Sequence, residues 1–252
     1  IKVNDKEENV RYILKNGDKV TITLPSEKFS EHVRFIEGNL DIIYEDEYFL
    51  VVNKPANLPS IPSRNEEDAS LLEIVNTYFH DNDYVTIPHI VTRLDKNTTG
   101  LVLIAKHRHI HALFGKTDIN KFYLALAKGR VADQVIEANI KREADSIITR
   151  CVAEDGDYAK TQIWLEKYYE KNDVSLVKLK LFTGRTHQIR VHMSHLGHPL
   201  LGDELYGGNK DLIARQALHC HNLQFKHPIT QKELSLEAPL AGDIKNITDS
   251  IG

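Results

Sequence analysis

An arginine and an aspartate two positions apart, Arg93 and Asp95, sit in the run TRLDKNTTGLVLIAK at residues 92–106. A polar turn ending in Gly100 follows them, then an apolar stretch with the length and composition of a buried strand. That order holds a carboxylate on a loop at the edge of a strand, where a rigid sheet can fix its direction. An aspartate has an ordinary pKa of about 3.9, so at neutral pH it is ionised and able to attack covalently or to take a proton. A second run, KLFTGRTHQIRVHMSHLGHPLLGD at 180–203, sets Arg185 at a tight turn after Gly184, leading into a helix. Helix N-termini favour anions, so an arginine there is not complementing the dipole and calls for an acidic partner or a ligand. Two further runs stand out: KFYLALAKG at 121–129, with Tyr123 in an otherwise apolar strand, and ALHCHNLQFKHP at 217–228.

The elements that must position these groups read as α+β. Residues 39–43 (LDIIY) and 48–54 (YFLVVNK), joined by acidic turn residues, form a hairpin. Pro55, Pro59 and Pro62 make 55–69 a loop. A helix then starts at the capping box of Ser70 and Glu73, with Leu71, Val75, Tyr78 and Phe79 as its apolar stripe. β-branched and alternating patterns give strands at 99–105, 121–127, 146–153, 159–168 and 174–182. Short helices fall at 107–115 and 186–196, the second closed by Gly197. Near the start, the Gly17–Asp18 turn leads into a strand through Val20, Ile22 and Leu24, and 25–38 is a polar linker. The result is a mostly antiparallel mixed sheet with flanking helices.

The 252 residues are 41% hydrophobic and 27% charged, the composition of a soluble globular protein. No apolar run approaches the roughly 18 residues of a membrane span, so a membrane partner is not expected and the location is read as cytoplasmic. The two cysteines, Cys151 and Cys220, read as reduced thiols. A chain that begins at Ile1 rather than methionine is expected to be a fragment. The net charge of −4 hides two basic segments. Residues 89–128 carry seven Lys/Arg against two Asp/Glu, and residues 178–232 carry eight against three, with seven of the thirteen histidines. Brought together, they would form a positive face suited to a phosphate backbone.

The four runs, in this order, resemble the RluA-like family of pseudouridine synthases over roughly residues 39–240. The family signature H-R-L-D-x-x-T-S-G-L-L-L-x-A-K stands here as T-R-L-D-K-N-T-T-G-L-V-L-I-A-K. The T-G-R-T-H-Q-I-R-x-H run, the G-D-x-x-Y-G at 202–207 and the A-L-H-x-x-x-L-x-F-x-H-P run match as well. Thr92 and Thr99 depart from the usual histidine and serine. The resemblance implies the pseudouridine synthase fold with a central active-site cleft. It also implies an isomerase that breaks the bond from ribose to the base nitrogen, turns the uracil and joins its carbon 5 to the ribose, with no cofactor. It makes Asp95 the catalytic carboxylate, Arg185 the arginine that pairs with it, and Tyr123 the ring that packs on the uracil. Arg93 becomes the side chain that fills the place of the flipped nucleotide. Lys106, His187 and Arg190 are expected, with Arg93, to contact RNA. Flipping a base costs a few kcal/mol, and stacking it on an aromatic ring returns about 1–3.

Two rivals differ in class. A metallohydrolase would use His187, His192, His195 and His198, but these lack the i, i+4 spacing and the glutamate of a zinc helix, since Val191 stands four after His187. No metal is therefore expected. A purely RNA-binding protein is the other rival. Residues 1–24 look like the tail of a small αL-type RNA-binding domain shared with ribosomal protein S-four. The expected division is thus 1–24 as that remnant, 25–38 as linker and 39–252 as a catalytic domain working as a monomer. By the same resemblance the substrate is ribosomal RNA of the large subunit, with transfer RNA as the alternative.

Overall fold

The computed structural model describes residues 1–23, 25–31, 33–62 and 68–252. Three two-residue strands come first: β1 (Lys2–Val3), β2 (Lys6–Glu7) and β3 (Val20–Thr21). They pair only with one another, in the order β2-β1-β3. Then follow β4 (Ile42–Glu45), β5 (Phe49–Lys54), α1 (Leu71–Asp81), β6 (His89–Ile90), β7 (Thr99–Ala105), α2 (Arg108–Phe114) and β8 (Asn120–Lys128). After them come β9 (Gln134–Glu137), β10 (Ile140–Arg142), β11 (Arg150–Val152), β12 (Lys160–Tyr169), β13 (Val174–Leu181), α3 (Gln188–His195), β14 (Leu218–Lys226), β15 (Glu233–Glu237) and α4 (Gly242–Ile251).

Ten of these strands form one sheet with the path β4-β5-β7-β14-β8-β13-β12-β9, β15 lying beside β14 and β6 beside β7. Every pair in it is antiparallel except β7 with β14. All seven residues of β7 are buried, which is why its sequence is a continuous apolar run rather than an alternating one. Gly100 sits where β7 meets β14. Its φ is +110°, and a Cβ there would lie 2.2 Å from the Cys220 carbonyl oxygen, so only glycine fits. Phe49, Phe114 and Phe225 pack edge to face with centroids 5.4–5.6 Å apart and tie β5, α2 and β14 together.

The 39–54 hairpin, the strands at 99–105, 121–127, 159–168 and 174–182, and the two short helices fall within a residue or three of their sequence positions. In α1 the capping box is complete: Ser70 Oγ accepts from Glu73 N, and Ser70 N donates to Glu73 Oε2 at 2.8 Å. The strand through Val20 is shorter than its pattern, and Leu24 lies outside the described residues, as do 63–67 of the loop at 55–69. The expected strand at 146–153 is reduced to β11, because Ser146 Oγ accepts from Ile148 N and Thr149 N and bends the chain into a turn. Polar residues 25–38 form no helix or strand among the described residues, yet they are docked. Glu27 N donates to Val85 O, Glu27 Oε1 accepts from Arg108 N at 2.9 Å, and Ile36 N donates to Glu73 O. No described helix is long and apolar enough to cross a membrane.

Candidate active site

The loop between β6 and β7 carries Asp95 and is fastened from three sides. Ser60 Oγ donates to Leu94 O at 2.8 Å and accepts from Leu94 N at 2.9 Å. The buried Lys54 ammonium donates to Pro55 O, Leu58 O and Lys96 O, at 2.9, 2.7 and 3.1 Å. Arg215 Nη1 donates to Asn97 O, while Nε and Nη2 of the same guanidinium grip the Asp243 carboxylate at 2.7 Å each. Thr92 Oγ1 accepts from Leu103 N at 2.9 Å and ties the start of the loop to β7. Asp95 is therefore held by a buried scaffold, with its own side chain only partly covered.

Asp95 opens on a cavity of about 490 Å³. Tyr123, Arg93, Arg185, His187 and Arg190 line it too, along with Lys121, Leu181 and Gly184. Tyr123 is 5% exposed. Burial pushes its phenol well above the usual range, so the ring meets its ligand as a neutral phenol.

The arginine against Asp95 is Arg190 rather than Arg185. Arg190 Nη1 donates to Asp95 Oδ2 at 3.3 Å. Its Nε and Nη2 donate to Asp203 Oδ2 and Oδ1 at 2.7 and 2.8 Å, and its plane lies 4.8 Å from the Tyr206 ring centre. The reason lies in the helix. Arg190 is in the first turn of α3, and side chains there lean back toward the N-terminus, where the Asp95 loop lies. Arg185 precedes the helix in an exposed turn. Its Nε donates to Tyr158 O at 3.0 Å, and Nη1 stands 3.8 Å from Asp157. The expected pairing of Arg185 with Asp95 is thus corrected. So is the reading of Arg190 as an RNA contact, because its guanidinium is buried and occupied.

His187 is the non-helical residue before α3, with φ of +57° in the left-handed region. Its Nδ1 is 2.8 Å from the Tyr206 hydroxyl, and its Nε2 is 3.8 Å from Asp95 Oδ2. That hydroxyl also accepts from Arg150 N at 3.0 Å, so the imidazole is held between Tyr206 and the carboxylate. Burial lowers the imidazole pKa, opposed by the Asp95 charge. Arg93 is exposed at the cavity and has no hydrogen bond or ion pair among the described residues. Lys106 is elsewhere. It is buried, 2.7 Å from Glu45 Oε1 and 4.4 Å from the Tyr84 ring centre, so its expected contact with RNA is corrected: the side chain is consumed inside the protein.

Two further histidines of the 187–198 run have partners of their own. His192 contacts Thr161 Oγ1 and Ala138 O, and His198 contacts Lys128 O. No cluster of three potential metal-ligating side chains occurs among the described residues. Sequence reasoning passed over Lys54, Ser60, Lys121, Asp203 and Tyr206. Asp203 and Tyr206 stand in the 202–207 run, which offered a signal without a role. For Lys54 the signal was a lysine closing an apolar strand just before a proline.

Residues 48–195 match the family described as RNA pseudouridylate synthase. The chain is 41% identical over 253 residues to the uncharacterised RNA pseudouridine synthase YjbO of Bacillus subtilis, covering 98% of this chain and 89% of that protein. It is 38% identical to the ribosomal large subunit pseudouridine synthase D of Vibrio vulnificus, covering 84% of this chain and 70% of that one. Among solved structures it is similar to human RNA pseudouridylate synthase domain containing 1. There the TM-score is 0.65 at 26% identity, covering 84% of this chain and 94% of that chain.

Proposed function

Because the chain belongs to the RNA pseudouridylate synthase family and is an isomerase of that class, we propose that it converts uridine to pseudouridine in large-subunit ribosomal RNA, with Asp95 as the reacting carboxylate. The observation that carries this reading is the Asp95–Arg190–Asp203 chain at the wall of a cavity that also holds the Tyr123 ring. The similarity to proteins named ribosomal large subunit pseudouridine synthase D supports the choice of RNA. Work on ribosomal RNA would place the protein in the cytoplasm.

The target uridine leaves its stack and enters the cavity, where its base lies on the Tyr123 ring. Arg93, exposed and without a partner among the described residues, takes the vacated place in the RNA, which lowers the cost of flipping. Arg190 has two nitrogens fixed on Asp203 and one toward Asp95, so the carboxylate meets the ribose or base as an oriented anion. The bond from ribose to the base nitrogen breaks, the uracil turns, and carbon 5 joins the ribose. The proton on carbon 5 then passes to a basic group at the cavity, and the freed base nitrogen takes up a proton, so the isomerisation balances. Asp95, His187 and Tyr123 are among the polar side chains lining the cavity. Arg185, at the exposed mouth, contacts the RNA backbone.

The test is pseudouridine mapping of ribosomal and transfer RNA from a wild-type strain, a deletion strain, and a deletion strain carrying Asp95→Ala. One or more large-subunit positions should lose pseudouridine on deletion and stay unmodified with Asp95→Ala. Loss confined to transfer RNA would contradict the choice of substrate.

A further inference from the structure

Lys121 and Tyr123 stand two residues apart on β8, so their side chains leave the same face of the sheet, and both line the cavity. Leu181, directly opposite Lys121 on β13, lines it as well. The ammonium reaches toward the turn before α3, for a Cβ placed on Gly184 would stand 3.9 Å from Lys121 Nζ. Tyr123 is buried and Gly184 exposed, so Lys121 occupies the wall between the cavity floor and its mouth.

This ammonium is half-buried and has no hydrogen bond or ion pair with any described residue. Asp95, the one carboxylate among the described lining residues, is turned to Arg190. The Cys220 thiol is close enough to act on Lys121, but burial pushes that thiol up to about 12 and leaves it uncharged at neutral pH. A partly desolvated cation without a counter-ion is costly, and the cost is relieved when a ligand brings an anion. RNA carries one phosphate per nucleotide, and a nucleotide entering base first keeps its phosphates on the mouth side.

We propose that Lys121 binds a backbone phosphate of the extruded uridine and so fixes the nucleotide whose base lies on Tyr123. The inference rests on the reading of this cavity as the uridine site. Arg190 orients the carboxylate, and Lys121 orients the substrate across from it. The two cations differ in that Arg190 has its counter-ions inside the protein and Lys121 awaits one.

The experiment compares wild type, Lys121→Met, Lys121→Arg and Lys178→Met on an unmodified large-subunit ribosomal RNA transcript. Lys178 lies opposite Leu124, hence on the other face of the sheet, and controls for the loss of one charge. Lys121→Met should weaken RNA binding about tenfold and lower the slope of log affinity against log salt by about one. Lys121→Arg should recover most of both, and Lys178→Met should leave both near wild type. Thermal melting of each variant shows that the fold is intact, and a merely structural loss would not move the salt slope. Wild-type affinity and salt slope in Lys121→Met would overturn the inference. So would a lower single-turnover rate at saturating RNA with binding intact, which would assign the ammonium to the departing uracil instead. Wild-type protein separates the two possible failures. No product from wild type on ribosomal or transfer RNA overturns the uridine-site reading and this inference with it. Normal product from wild type and an unaffected Lys121→Met overturns this inference alone.

Discussion

Asp95 Oδ2 lies 3.3 Å from Nη1 of Arg190, a guanidinium whose other two nitrogens are bonded to Asp203. Asp203 is itself 1% exposed, so the carboxylate at the cavity is oriented by a charge pair that solvent does not reach. A buried ion pair of this kind gives little net stability but fixes direction, which is what a reacting group requires.

Arg190→Lys should keep a positive charge and lose the planar fork that serves both carboxylates. Turnover should fall by about 100-fold or more, since misplacing the reacting group by about 1 Å costs that much. Arg190→Met goes further and leaves Asp203 buried without a counter-charge, a loss of about 3–5 kcal/mol in unfolding free energy. Single-turnover kinetics and urea unfolding read the two effects separately.

Arg185→Ala should behave differently. Its guanidinium is exposed and bonded to a backbone carbonyl, so the variant should melt within a few degrees of wild type. The loss should fall on RNA affinity and its salt dependence, with the rate at saturating RNA largely retained. A loss of rate as large as that of Arg190→Lys would return Arg185 to the reacting carboxylate.

Lys54 gives a pH dependence. Burial pushes its ammonium down to about 7, with the Asp95 charge acting to raise it. Above that pH a neutral amine has two N–H groups for three carbonyl acceptors, and the Asp95 loop loses one of its ties. Turnover should fall as pH rises through about 7, and Lys54→Arg, which stays charged, should flatten that limb. The stability contribution has the opposite sign. The unfolded lysine titrates near 10.4 and binds more protons than the folded one between the two values, so this group adds stability with rising pH there. A drop in rate without a drop in melting temperature is the expected pattern.

Gly100→Ala should be among the most damaging single changes. It combines a φ of +110° with a Cβ 2.2 Å from the Cys220 carbonyl oxygen. The backbone strain alone is worth about 1–3 kcal/mol, and the overlap adds to it. Melting temperature and soluble yield measure the loss.

The sheet was legible in the sequence because β5, β7, β12 and β13 are long apolar or alternating runs bounded by turn residues. Strand β14 was not, since a bulge between Cys220 and Asn222 breaks its alternation and places polar His219 and Asn222 in the interior. Asp95 and Tyr123 could be singled out by motif, and the structure brings both to one cavity. The partner of Asp95 could not. Arg185 and Arg190 are five residues apart, and which one faces the carboxylate depends on where α3 starts, at Gln188, a boundary that periodicity leaves open by a few residues. Lys54 and Arg215 escaped notice because their task, tying backbone carbonyls of the Asp95 loop, leaves no spacing pattern.

The central claim is tested most directly with purified Asp95→Asn. The substitution keeps the size of the side chain and its contact with Arg190 while removing the charge. With unmodified ribosomal RNA under single-turnover conditions, the expected result is no pseudouridine above background, alongside wild-type melting and near-wild-type RNA affinity. Pseudouridine formed by Asp95→Asn at a rate approaching that of the wild type would contradict it.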